Sequence, residues 1–273
     1  TEQGPLQAQA QSLGGAKTAD ENAEEALTAL LSEPGLPGPE HWQEQLHAIL
    51  GTGLRGTVEE FHSFLVQLSS IGGQDEAEFV ALCASVLSAQ TRDAAALGAV
   101  RSLIATFGTG SPPQLHASAI AAASLEALEA AIQGVNYHKT KARNLRQAAA
   151  LVRDAGRVPS DFEGLVALPG VGPKIANLVR CVAFPEVEDC GMIVDTHVHR
   201  VAHRLGWATD ADRLPEQTRR RLELFLPPVV RELVTRRMIA FGQELCRPRR
   251  PACEKCPLAA ARLCPTAAAS EPA

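Results

Sequence analysis

Apolar residues recur at helical spacing along most of this chain, and no stretch of the sequence alternates apolar and polar residues in the manner of a strand. Phe61, Phe64, Leu65 and Leu68 mark one apolar stripe. Ala-rich segments at 76–106, 116–133 and 139–153 have the composition of packed helices. An amphipathic stretch ends near Ala167, and a further helix runs to about Val182. Near the front a helix is expected from Asp20 to Ser32, opened by Thr18 with Glu21 three residues on, the spacing of a capping box. Pro34-Gly35, Pro37-Gly38 and the glycines from Gly51 to Gly56 then punctuate the chain. Residues 1–55 therefore read as a partly disordered extension, and 266–273 as a small, polar, disordered tail. The fold class expected is all-α, without internal repeats.

A length of 273 residues with 45% apolar composition allows one or two domains and a sizeable core. No apolar run is long enough to cross a bilayer, so a membrane is not an expected partner. The formal charge of -5 argues against nucleic acid only until its distribution is considered. Residues 1–136 carry four basic side chains, Lys17, Arg55, Arg92 and Arg101, against sixteen acidic ones. Residues 137–264 hold a net charge of +8. The second half thus presents the face that attracts phosphate.

Cys246, Cys253, Cys256 and Cys264 lie within one short segment among proline, arginine and glutamate, surroundings that do not suit merely packed thiols. Four thiolates on a compact loop suit an iron-sulfur cubane, with tetrahedral zinc as the alternative. Two disulfides are a further alternative. Cys83, Cys181 and Cys190 leave an odd total, however, and no secretory segment opens the sequence, so a reducing compartment is expected.

The segment Leu168-Pro169-Gly170-Val171-Gly172-Pro173-Lys174-Ile175-Ala176 reads as a helix-hairpin-helix. Gly170 and Gly172 allow a tight turn and a close backbone approach, and Pro173 presets the first helical turn. The helix start then forms a seat for a DNA phosphate. Lys174 stands in that first turn, in a chain with five lysines and twenty-one arginines. Unlike guanidinium, an amine can lose its proton and attack carbon to form an imine; the plainer reading is a point charge for phosphate. Downstream, in Val194-Asp195-Thr196-His197-Val198-His199-Arg200, Asp195 stands at an expected helix start and is equally readable as an N-cap. His197 and His199, two apart on a helix, diverge, so they are not expected to share a metal.

The hairpin LPGVGPKIA, the segment VDTHVHRV and the four-cysteine loop, in this order, resemble the endonuclease III family of helix-hairpin-helix DNA glycosylases. Residues 87–93, LSAQTRD, resemble a further family segment, and the likeness covers roughly 58–265. It implies two helical domains with DNA in the cleft between them: a six-helix barrel at 72–189, and a [4Fe-4S] cluster domain made of 56–71 and 190–265. It assigns Lys174 as the nucleophile toward C1′ of a damaged nucleoside, and Asp195 as the carboxylate that assists the amine and stabilises charge on the sugar. Gln90 would enter the base stack from one side, and the loop from Asn136 to Lys141 from the other, with Tyr137 or His138 as its wedge. Lys139, Lys141 and Arg143 would contact phosphate, and so would Arg247, Arg249 and Arg250 between the first two cysteines, unless these form only a solvated basic face.

The resemblance thus implies a monomeric bifunctional glycosylase and lyase acting on oxidised pyrimidines in duplex DNA, in the cytoplasm at a bacterial nucleoid. Some features depart from the family pattern. Seven residues separate Cys256 from Cys264 where five are usual, the loop around Pro185 to Asp189 is longer, and Tyr137 replaces a leucine or phenylalanine. Two other readings stay open: a noncatalytic DNA-binding or redox-sensing protein that keeps the cluster, and a glycosylase for alkylated purines.

Overall fold

A computed structural model describes residues 19–69, 73–184 and 190–268, and every regular element among them is a helix. The order is α1 (Ala19–Ser32), α2 (Trp42–Gly51), α3 (Gly56–Ser69), α4 (Gln74–Ser88), α5 (Asp93–Phe107), α6 (Ala117–Ala122), α7 (Leu125–Ala131) and α8 (His138–Ala155). Then follow α9 (Phe162–Val166), α10 (Pro173–Ala183), α11 (Thr196–Arg204), α12 (Pro215–Leu222) and α13 (Pro228–Glu244), a 3-10 turn at Cys253–Lys255, α14 (Pro257–Ala260) and α15 (Pro265–Ala268). The all-α expectation holds. Thr18 of the expected capping box, the side chains of Leu65 and Leu68, and the loop at 185–189 lie outside the described residues.

The apolar stripes close into two cores. The first runs from Phe61 of α3 through α10 and includes Leu82, Leu87, Leu103, Ile120, Leu145 and Val179. The second gathers Met192, Val198, Trp207, Leu222, Val234 and Phe241 with Ala23, Leu27, Trp42, Leu46 and Ile49. Helix α3 straddles both, because Phe61 belongs to the first core while Val58 packs on the second.

The participation of α1 and α2 corrects the expectation of an N-terminal appendage over 19–51. Trp42 stacks at 5.0 Å from Phe225, which in turn meets Trp207 at 5.8 Å. Buried Gln45 donates to Leu205 O at 3.1 Å and Leu263 O at 2.7 Å, and accepts from the Trp207 indole N–H. The Pro-Gly pairs are the turn between α1 and α2, pinned by Gln43 Nε2 on Leu30 O and Glu33 O at 2.7 Å each. A boundary signal in the sequence was thus only a local turn. The expected disorder from 266 also gives way at its start, since α15 forms and Thr266 Oγ1 donates to Arg204 O at 2.9 Å. Residues 269–273 lie outside the description.

Helix α13 is buried along most of its length and brings Arg236 and Arg237 to the seam between the cores. Arg236 pairs with Glu59 at 2.7 Å and Glu232 at 2.8 Å, while Arg237 lies 3.6 Å from Glu59 and 3.7 Å from Glu24. Charges removed from water require such pairing. The network joins α1, α3 and α13.

If α1 and α2 are core, Leu46→Ala, at a side chain with 0% exposure, lowers the unfolding free energy by about 2–5 kcal/mol in urea titration. A change below about 0.5 kcal/mol, ordinary for a surface position, would restore the appendage reading.

Candidate active site

A cleft of about 1440 Å³ opens at the seam, lined by Lys174, Asp195, Gln90, Gly170 and Gly172, together with Thr57, His62, Asn136, Glu232 and Arg236. Lys174 reaches it from the hairpin. Asp161 caps α9 through Gly164 N at 2.7 Å, and the chain then turns at Gly170, whose φ is +84°. A Cβ there would sit 2.8 Å from Asn144 Nδ2, so glycine is required. Gly172 differs from expectation. Its φ of -99° and ψ of 179° suit any residue, and a Cβ would meet nothing within 4 Å. What glycine provides at 172 is open space on the cleft side. Pro173 begins α10 and Lys174 follows it, half-buried.

Asp195 arrives by an extended segment held against α10. Asn177, three residues after Lys174 and buried, donates to Met192 O at 3.4 Å. Gly191, at φ +76°, lets the chain pass close to Asn177, where an added Cβ would sit 2.8 Å from Nδ2. Met192 N donates to Glu223 Oε1 at 2.7 Å. Asp195 then caps α11, its Oδ1 accepting from His197 N at 2.8 Å and Val198 N at 2.9 Å. The capping reading and the cleft carboxylate are therefore one residue in one conformation. The two histidines separate, with His197 Nδ1 3.2 Å from Arg200 and His199 Nδ1 2.7 Å from Thr218 Oγ1.

Gln90 is exposed at φ 51°, and Tyr137, 68% exposed at φ 57°, precedes α8. Asn136 Nδ2 donates to Gln90 O at 2.6 Å and ties the two loops together. His138 is half-buried at the start of α8, and Lys139 and Arg143 are exposed.

Lys141 must be removed from the phosphate contacts. It is 6% exposed, and its Nζ donates to Leu87 O at 2.7 Å, Ala89 O at 2.6 Å and Thr91 Oγ1 at 2.8 Å. Its three donors are committed, and burial pushes its amine down to about 8.

The cysteine segment hangs from the end of α11. Arg204 Nη1 donates to Cys246 Sγ and Cys246 O at 3.2 Å and to Arg247 O at 2.8 Å, while Nη2 reaches Pro248 O at 3.2 Å. Arg200 adds bonds to Cys246 O at 3.1 Å and Gly242 O at 2.8 Å. These arginines, four apart on the helix that Asp195 opens, were not singled out from sequence, although their spacing was visible. Cys246, Cys256 and Cys264 pack against the second core. Burial first, and also the nearby Cys264 and Cys246, push the Cys253 and Cys256 thiols up. Among the described residues no three His, Cys, Asp or Glu side chains are gathered as a group that could hold a metal ion. Arg247, Arg249 and Arg250 are exposed beside the cysteines and do not line the cleft.

Of the other cysteines, Cys181 of α10 and Cys190 form a disulfide with Cα atoms 5.2 Å apart, a pairing that the sequence reading did not assign. Cys83 is a buried thiol pushed up to about 12 by desolvation.

Residues 83–228 match the family model described as the HhH-GPD superfamily base excision DNA repair protein. The chain is 35% identical over 236 residues to Endonuclease III-like protein 1 of Bos taurus, covering 84% of this chain and 72% of that one. It is 33% identical over 201 residues to Endonuclease III of Thermotoga maritima, covering 73% and 89%. A solved structure titled as a trapped endonuclease III-DNA covalent intermediate superposes with a TM-score of 0.62 at 30% identity, covering 78% of this chain and 96% of that one. The class is therefore a base excision repair DNA glycosylase built on a helix-hairpin-helix. Within it, the chain belongs to the endonuclease III family.

Capping and chemistry at Asp195 can be separated. Asparagine caps about as well as aspartate, so Asp195→Asn changes unfolding free energy by less than about 0.5 kcal/mol, while Asp195→Ala costs about 1 kcal/mol. Both variants lose about a hundredfold or more in single-turnover base release if the carboxylate takes part. A wild-type rate for Asp195→Asn would leave only the cap.

Proposed function

We propose that the chain is a bifunctional enzyme that removes oxidised or ring-saturated pyrimidines from duplex DNA and then cleaves the strand at the resulting site. The observation that carries this reading is Lys174 on the same cleft as Asp195, each set at a helix start with its backbone fixed. Nζ attacks C1′ of the extruded nucleoside as the bond to the base breaks, and the base leaves with that electron pair. The amine nitrogen gives up its protons, and its lone pair closes the C=N bond as the C1′–O4′ bond of the sugar breaks. O4′ takes a proton to become a hydroxyl, and an imine forms on the opened sugar. Departure of the C2′ proton then drives cleavage of the bond to the 3′ phosphate, and water releases the lysine. Asp195, on the same cleft, offsets positive charge as it grows on the sugar. Tyrosine or serine at position 174 would support base removal without this second step.

The duplex is read as lying along the hairpin and the cleft mouth, with Gly170 and Gly172 toward a phosphate and Gln90 and Tyr137 or His138 entering the stack. Arg247, Arg249 and Arg250 supply further phosphate contacts on a loop already anchored by Arg204. The first core, in this reading, corresponds to the barrel domain at 72–189. The second corresponds to the cluster domain, with α1 and α2 added. The chain acts as a monomer, in the compartment that holds the DNA.

Cys246, Cys253, Cys256 and Cys264 would hold a [4Fe-4S] cluster, for which each thiolate needs only its own corner of the cubane, whereas one zinc ion would draw all four to a point. That cluster would supply a rigid anchor for the arginine loop. Purified protein should contain about four iron and four sulfide per chain; zinc without iron overturns the assignment.

Borohydride reduction on duplexes bearing thymine glycol or an abasic site tests the chemistry. A covalent adduct on both duplexes that is lost in Lys174→Gln is expected. No adduct on either, from protein that still binds the duplex, overturns the lyase and points to a noncatalytic DNA-binding protein.

A further inference from the structure

Lys141 is a buried amine with no carboxylate against it, and its three hydrogen-bond acceptors all lie where α4 runs out into the Gln90 turn. A helix end leaves carbonyls unpaired and carries partial negative charge, so a cation there satisfies both. The same residue belongs to the first turn of α8, where its backbone N–H donates to Tyr137 O at 3.0 Å. One residue thus grips the turn that bears Gln90 with its side chain and the residue Tyr137 with its main chain. Asn136 adds a second tie, to Gln90 O at 2.6 Å.

Both tied residues are in the left-handed region, Gln90 at φ 51° and Tyr137 at φ 57°, and neither is glycine. Such backbone is sparsely populated for residues other than glycine and persists where surrounding contacts over-determine it. Burying an amine adds a further cost. Two strained residues tied through one residue, the Gln90 turn by its buried amine and Tyr137 by its backbone N–H, describe a site beside a cleft that is shaped for placement of side chains and not for stability.

We infer that Lys141 is a positioning residue for nucleotide extrusion, which sets the separation of Gln90 and Tyr137 as they enter the base stack. This rests on the reading of those two side chains as wedges. It does not rest on the imine chemistry. Lys141 touches neither substrate nor reacting atoms, so its loss acts on duplex opening and spares the steps at C1′.

The test uses Lys141→Met, which keeps the stem and removes the donors, and Asn136→Ala, which cuts the second tie independently. On a duplex carrying a tetrahydrofuran site, inert to amine attack, opposite 2-aminopurine, the wild type should raise 2-aminopurine fluorescence as the opposite base is unstacked. Both variants should lose most of that rise at saturating protein. Lyase rates on an abasic site should fall about tenfold or more in duplex, where unstacking must be offset by the wedges, and stay within about twofold on the same site in single-stranded DNA, which needs none. Equal losses on duplex and single strand, or no loss on either, overturn the inference. So does a variant pair in which the correctly folded Asn136→Ala behaves as wild type while Lys141→Met unfolds. A wild type that unstacks the base but forms no adduct would overturn the lyase reading alone.

Discussion

The buried arginines of α13 set the geometry on which the cleft depends. Arg236 and Arg237 cannot lose their protons, and the seam shields them from water, so Glu59, Glu232 and Glu24 have to come to them. Glu59 sits on α3, the helix shared by both cores, and this fixes α3 against α13. With those two helices fixed, the walls of the cleft face each other. Glu232 and Arg236 line its floor, and His62 approaches Glu232 at 3.4 Å. Replacing such a network by apolar groups could be neutral for stability, whereas removing one partner leaves a buried charge uncompensated.

From α13 the constraint passes to the reacting groups. Helix α11 lies against it so closely that a Cβ at Gly242 would come within 3.0 Å of His197 Cβ. Its start is Asp195, and its end is Arg204 on the cysteine segment. A carboxylate at a helix start satisfies backbone N–H groups and gains from the helix dipole. The same bonds stop it from rotating, so its charge is in place before substrate arrives. Capping and a place in the cleft, which compete as readings of a sequence, are met by one conformation of Asp195 in the folded chain.

Local spacing made part of this legible and concealed the rest. Hairpin, lysine, capping aspartate and cysteine loop are each encoded within a few neighbouring residues, and the turn at Gly170, the helix start at Pro173 and the Asp195 cap form as read. The contribution of α1 and α2 was hidden because Gln45 finds its partners at Leu205 and Leu263, far along the chain. Lys141 was misread for another reason: Lys139 and Arg143 flank it and suggested a basic face. Helical periodicity held the correction, since Lys141 falls on the buried stripe of Leu145, Ala148 and Val152. At Gly172 only half of the expected cause holds, because the backbone there needs no glycine for a turn while the open space beside it leaves room for the close approach that was read.

Under the proposed roles, the arrangement also keeps extrusion and chemistry in register. Lys141 holds the C-terminal end of α4, and α4 packs along α10, which begins beside Lys174. The turn proposed to enter the stack and the amine proposed to attack the sugar are therefore carried by two helices in direct contact within one core. A rigid link of this kind requires no movement of the protein to align the nucleophile once the wedges are seated. The cost of deformation falls on the DNA, which is lower where damage has already weakened stacking, so selection for damaged sites begins before any group on the base is read.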